Sequence, residues 1–160
     1  MPDSKINVGI ADMKMARQEG VLITHALGSC VGICIYDSNI KLGALIHIML
    51  PEANGAAGNL YKFADTGIRE TLRKMSIFGG IKGNYICKIA GGAKMFEVSG
   101  GSSLGSIGDR NVENVKKILQ LEGIKIASQD TGKNYARTMY MDVSTGEVGI
   151  RTSSGQEYKL

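Results

Sequence analysis

Thr24-His25-Ala26-Leu27-Gly28-Ser29-Cys30-Val31-Gly32-Ile33-Cys34-Ile35-Tyr36-Asp37-Ser38-Asn39-Ile40-Lys41-Leu42-Gly43-Ala44-Leu45-Ile46-His47 reads as strand, turn, strand. Ser38-Asn39, lying between the β-branched run Val31 to Tyr36 and the aliphatic run from Leu42, has the composition of a two-residue hairpin turn. With that turn Asp37 faces Ile40 and, counting outward along the antiparallel ladder, Cys30 faces His47. Opposed side chains share a face with Cβ atoms about 4.5–5.5 Å apart, near enough for a thiol to meet an imidazole. One face then carries Val31, Ile33, Ile35, Leu42, Ala44 and Ile46, all apolar. The other carries Cys30, Gly32, Cys34, Gly43, Leu45 and His47, a shallow groove of mostly small residues. The reading needs an even loop, because a slip of one residue turns His47 to the face away from Cys30.

Outward from this hairpin, short apolar and β-branched runs predict further strands at Ile6 to Ile10, Val21 to Thr24, Tyr85 to Ala90, Ile124 to Ser128, Thr138 to Val143 and Glu147 to Arg151, with the run Leu42 to Leu50 closing the hairpin. Helical spacing appears twice. Leu60, Ala64, Ile68, Leu72 and Met75 form one stripe that ends near Gly79-Gly80. Val112, Val115, Ile118, Leu119 and Glu122 form a second, which begins near Asp109 as the expected cap and ends at Gly123. About eight strands, some joined by hairpins such as Ser144-Thr145-Gly146, and two one-sided helices predict an α+β layered sandwich rather than a doubly wound sheet. No internal repeat or boundary divides residues 1–160, so one domain is expected.

Glycine supplies 22 of the 160 residues and proline 2, a share that implies many tight turns but not a low-complexity chain. The formal charge of +4, from 19 basic and 15 acidic residues, contains no run of like charge. That pattern argues against nucleic acid and suits an acidic protein partner. No apolar stretch approaches the roughly 20 residues of a membrane span, and Asp3, Lys5, Asp12, Lys14 and Arg17 leave no signal-peptide core. A cytoplasmic location without membrane insertion is expected. Three cysteines without secretory context read as free thiols.

A thiol beside an imidazole is a candidate nucleophile and base, since the imidazolium lowers the thiol pKa by stabilising the thiolate. Thr24, at the end of the preceding strand, is the candidate third member that fixes the ring. Gly28-Ser29, just ahead of Cys30, would let backbone amides converge on an oxyanion. Cys34 and Cys87 read as packing residues, the usual fate of a lone strand cysteine. His25, five residues before Cys30, is the competing base and reads more simply as a surface residue. A zinc site is disfavoured, because Cys30 and Cys34 on one strand lie about 13 Å apart at roughly 3.3 Å per residue. The run from Gly91-Gly92-Ala93 through Gly100 to Gly108 lacks the Lys-Ser/Thr ending of a P-loop and reads as a turn-rich loop before a helix, or as a wall of the site.

At these residues the sequence resembles CheD, the chemoreceptor glutamine deamidase family of bacterial and archaeal chemotaxis. The likeness covers nearly the whole chain. It rests on Leu27-Gly28-Ser29-Cys30-Val31, His47 with Leu50-Pro51, Gly91-Gly92-Ala93-Lys94-Met95-Phe96, Ile107-Gly108-Asp109-Arg110-Asn111 and Thr145-Gly146-Glu147-Val148 with Arg151. Ala136, before Arg137, stands where the family pattern has glycine. The resemblance implies an α/β/β sandwich related to the deamidating bacterial toxins, with Cys30 as nucleophile, His47 as general base and Thr24 as third member. It implies hydrolysis of glutamine side chains on chemoreceptor cytoplasmic helices to glutamate and ammonia, without a cofactor. It further implies binding to a CheC-type phosphatase of the response regulator, in competition with receptor. A monomer is expected. Two rival readings are a regulatory partner of that phosphatase with little catalysis of its own, and a methylesterase acting on glutamyl esters.

Overall fold

The computed structural model describes residues 4–56, 58–95 and 106–160. The central hairpin forms from β4 (Val31–Asp37) and β5 (Leu42–Ile48), but Asp37 pairs with Leu42, so the loop is Ser38 to Lys41, four residues rather than two. The Asp37 carboxylate shapes it, accepting the Asn39 amide at 3.0 Å and, from across the fold, the Ile81 amide at 3.0 Å. Lys41 takes a left-handed φ of 50°. Because four is also even, every side chain keeps its expected face. The register nevertheless moves: Gly32, not Cys30, stands opposite His47, and Val31 with Ile48 forms the last pair.

Two five-stranded sheets result. The first joins β2 (Asp12–Arg17), β5, β4, β6 (Tyr85–Gly91) and β7 (Ile126–Thr131) in that order, all antiparallel except β6 with β7. The second joins β1 (Lys5–Asn7), β3 (Val21–Leu27), β8 (Arg137–Asp142), β9 (Glu147–Thr152) and β10 (Glu157–Lys159), with only β1 and β3 parallel. Helices α1 (Ala64–Ile77) and α2 (Ile107–Leu121) cover one face of the first sheet. Their Ala64, Ile68, Leu72, Met75, Val115, Ile118 and Leu119 pack with Val31, Ile33, Ile35, Ala44, Ile46 and Ile48. The opposite face meets the second sheet through Leu27, Cys34, Leu45, Met139, Met141 and Ile150. The mixed α+β class is therefore as expected, in three layers of helices, sheet and sheet.

Three expectations are corrected. The face carrying Gly32 and Gly43 is not an open groove, because side chains of the second sheet fill it. A Cβ on Gly32 would lie 2.9 Å from Met139 Sδ, and one on Gly43 would lie 2.7 Å from Met141 Cε. Leu60 sits in a short 3-10 turn ahead of α1 and is exposed, so it does not extend the helical stripe. The cap of α2 is Ser106, whose hydroxyl accepts the Asp109 amide at 3.1 Å, while Asp109 lies inside the first turn. Ala136 needs no positive φ; the left-handed positions in this loop are Gly132 and Lys133.

Candidate active site

Strand β3 is interrupted by a bulge between Thr24 and Leu27, with Ala26 at a φ of 57°. The bulge lets Thr24 point inward while the next residue, His25, is exposed, with Nδ1 only 3.5 Å from Thr138 Oγ1. His25 is thus the surface histidine. His47 is fully buried, and its neighbours Ile46 and Ile48 face the helices, so its ring faces the second sheet. There its Nδ1 lies 2.7 Å from Thr24 Oγ1.

The direction of that hydrogen bond follows from the proton count. Thr24 donates its one hydroxyl proton to the Val8 carbonyl at 2.8 Å, so it can only accept from the ring. Nδ1 therefore carries the proton in neutral His47, and Nε2 holds a free lone pair. Nε2 is buried and has no partner among the described residues. Burial lowers the His47 pKa from its ordinary 6.5 to about 4.

Cys30 lies one rung beyond the last ladder pair, half-buried against the layer between the sheets, the same layer that His47 faces. Burial pushes its thiol pKa up, opposed by the residue's own backbone N–H. The expected lowering of the thiol pKa by the imidazole is not what this structure has. Both groups are driven toward their neutral forms, and no hydrogen bond joins Sγ to Nε2. Thr24 and His47 are brought into contact, and Cys30 is brought to the same layer without being bonded to them.

Each carbonyl of the loop before β4 is held. That of Gly28 accepts from the Ala93 amide at 2.8 Å, that of Ser29 from Asn111 Nδ2 at 2.9 Å, and that of Cys30 from the Gly92 amide at 2.8 Å. The amides of Ser29 and Cys30 have no carbonyl partner among the described residues. Gly28 leaves the approach narrow, since a Cβ there would lie 3.3 Å from Met95 Cγ. Gly92 and Ala93 thus brace the loop that carries Cys30 through backbone hydrogen bonds. Phe96 and the glycine-rich stretch up to Gly105 lie outside the described residues.

Reasoning from the residues alone gave no role to Asn111. It is fully buried on α2 and donates also to the Met49 carbonyl at 2.8 Å. The available signal was a lone amide on a helix face whose other buried members beyond Gly108 are Val115, Ile118 and Leu119. Cys34 and Cys87 are buried in different layers, between the sheets and under the helices respectively. Among the described residues no three His, Cys, Asp or Glu side chains could hold a metal ion, and no helix is long and apolar enough to cross a membrane.

Chemically, a buried imidazole with an oriented lone pair, a thiol in the same layer and two amides without a carbonyl partner among the described residues suit attack on a carbonyl carbon followed by protonation of a leaving group. The CheD chemotactic sensory transduction family matches the chain over residues 49–152, a span that begins two residues after His47. Full-length relatives extend the likeness across the site. A protein of Syntrophomonas wolfei named "Probable chemoreceptor glutamine deamidase CheD" is 51% identical over 92% of this chain and 92% of its own. Proteins of the same name from Clostridium novyi and Pyrococcus abyssi are 47% and 42% identical, over 95% and 94% of this chain and 95% and 93% of theirs.

Proposed function

The chain belongs to the CheD family, and from that premise we propose that it is a protein-glutamine glutaminase acting in chemotaxis. Its substrates are glutamine side chains on the cytoplasmic helices of chemoreceptors, and its products are glutamate and ammonia. The observation that carries the reading is the Thr24 to His47 bond, which leaves Nε2, without a partner among the described residues, to take a proton in the layer that Cys30 also packs against.

Cys30 Sγ attacks the carboxamide carbon while its proton passes to His47 Nε2. A pair that rests neutral transfers this proton as the S–C bond forms, so no thiolate need persist beforehand. The carbonyl oxygen becomes an oxyanion, held by the amides of Ser29 and Cys30, with Gly28 adding no side chain to the narrow approach beside Met95. His47 then returns the proton to nitrogen, the C–N bond breaks, and ammonia leaves a thioester. Water, deprotonated by His47, attacks that thioester; the C–S bond breaks, the thiol is reprotonated, and glutamate is released. No step calls for a cofactor. Each turnover replaces a neutral amide by a carboxylate and so alters receptor charge.

The same reading includes a cytoplasmic monomer, a kinship with the deamidating toxins, and a CheC-type phosphatase that competes with receptor for this surface. The test is incubation with a receptor cytoplasmic fragment and detection by mass spectrometry of glutamine residues converted to glutamate. Wild type is expected to convert defined glutamines, and Cys30→Ala and His47→Ala to convert none. Equal conversion by Cys30→Ala would overturn the nucleophile. A wild type that converts none yet binds the phosphatase would leave the chain a regulatory partner.

A further inference from the structure

The hairpin ladder stops at Val31 with Ile48, and the next rung, Cys30 opposite Met49, is not made. Asn111 occupies that gap from α2, its Nδ2 donating to the Ser29 carbonyl at 2.9 Å and to the Met49 carbonyl at 2.8 Å. Two acceptors on one nitrogen fix which end of the amide is which, since only the NH2 group can donate twice. The other end, Oδ1, is buried and has no partner among the described residues. An apolar residue at this place on α2 would leave no such orphan, so the double bridge is what the amide supplies.

A trans peptide plane directs its carbonyl and its following N–H in opposite directions. Asn111 draws the Ser29 carbonyl toward the helix layer, and the Cys30 amide must then point the other way, into the layer that holds Sγ and the His47 ring. That amide is one of the two without a carbonyl partner among the described residues. We propose that Asn111 is a positioning residue that sets the Cys30 amide as an oxyanion donor. The inference deepens the deamidase reading and rests on it for the natural substrate only. It concerns the amide and not the thiol or the base, and this makes it separable by experiment.

Two reagents divide the roles in the intact chain. Acylation by p-nitrophenyl acetate passes through a tetrahedral oxyanion: the S–C bond forms, the ester C–O bond breaks, and p-nitrophenolate leaves. Alkylation by iodoacetamide displaces iodide at a saturated carbon and forms none. Cys34 and Cys87 are fully buried, so both reactions report on Cys30, with Cys30→Ala as blank. Asn111→Asp keeps the size of the side chain and removes both donors; Asn111→Ser keeps a single hydroxyl. In variants shown to be folded by thermal unfolding, acylation is expected to fall about 100-fold, the usual loss for one oxyanion donor, while alkylation stays within about twofold of wild type. On receptor fragment, kcat should fall with KM unchanged.

Parallel loss of acylation and alkylation would make Asn111 a scaffold residue and overturn the proposal. So would undiminished acylation, or failure of both variants to fold. If wild type acylates faster than Asn111→Asp but converts no receptor glutamine, the deamidase reading fails while the role of Asn111 stands.

Discussion

Thr24 has a single hydroxyl proton, and the Val8 carbonyl takes it. From this one contact follow the tautomer of His47, the free Nε2, and a prediction about acid. Protonating Nε2 would place a charge and an unpaired N–H in a fully buried position, which is why burial holds the His47 pKa near 4. In the unfolded chain the ring binds its proton at about the ordinary 6.5, so between these values the unfolded state holds more protons than the folded one. Stability contributed by neutral His47 is therefore complete above pH 6.5 and is lost as pH falls toward 4, by up to about 3 kcal/mol. Urea denaturation at intervals across that range should show a steeper loss for wild type than for His47→Gln. Identical slopes would mean that the buried imidazole is not what acid attacks. The contact of Thr24 with His47 was legible in the sequence because Thr24 lies in the strand that precedes Cys30, although that strand runs on past a bulge to Leu27. Asn111 was not, because its two acceptors lie 82 and 62 positions away and no local pattern joins them.

Gly91, the last residue of β6, shows how an element can hold a site it does not contribute side chains to. Its φ is 109°, and a Cβ there would stand 2.3 Å from the Cys30 carbonyl oxygen. Gly91→Ala combines left-handed strain with a clash against the Cys30 backbone, and a loss of about 3 kcal/mol or more is expected, with the proposed activity lost as Cys30 shifts. Gly123 after α2 is the control, since its φ is 75° and nothing lies within 4 Å of its Cβ position. Gly123→Ala should cost only the strain, about 1–2 kcal/mol. Chemical denaturation of both variants checks this, and equal losses would show that the clash is relieved by relaxation. The strongly apolar elements were readable from the sequence. Strand β2 was not, because Asp12-Met13-Lys14-Met15-Ala16-Arg17 has little β-branched character and pairs along an edge. Strand β10 is three exposed residues with no apolar face to read. The hairpin loop was misjudged by two residues because the Ile81 amide that helps hold Asp37 comes from a distant segment. Parity kept His47 and Cys30 on one face, while the direct pairing of the two was lost to Gly32.

At the scale of the whole molecule, the small residues of the hairpin were read as a groove when they are sockets for methionines of the second sheet. The sequence contains both partners, Gly32 with Met139 and Gly43 with Met141, but nothing local says that they meet. What holds the two sheets in register is partly polar. Thr24 to His47 is one tie, and Arg137 to Asp130 is another, from β8 to β7, with Nε and Oδ2 3.1 Å apart. Arg137 is fully buried over the Tyr135 ring, its Nη1 and Nη2 lack partners among the described residues, and Tyr158 of β10 donates to the same carboxylate oxygen. A guanidinium so enclosed depends on its single counter-charge. Asp130→Asn should therefore destabilise by about 3–5 kcal/mol, because it strands a buried cation. Arg137→Met in the same chain removes that cation and fills much of its volume, so the double variant should recover most of the loss despite carrying two substitutions. Urea denaturation of the two variants decides it. A double variant no more stable than Asp130→Asn would show that hydrogen bonding by the carboxylate, and not compensation of the buried charge, is what this tie contributes.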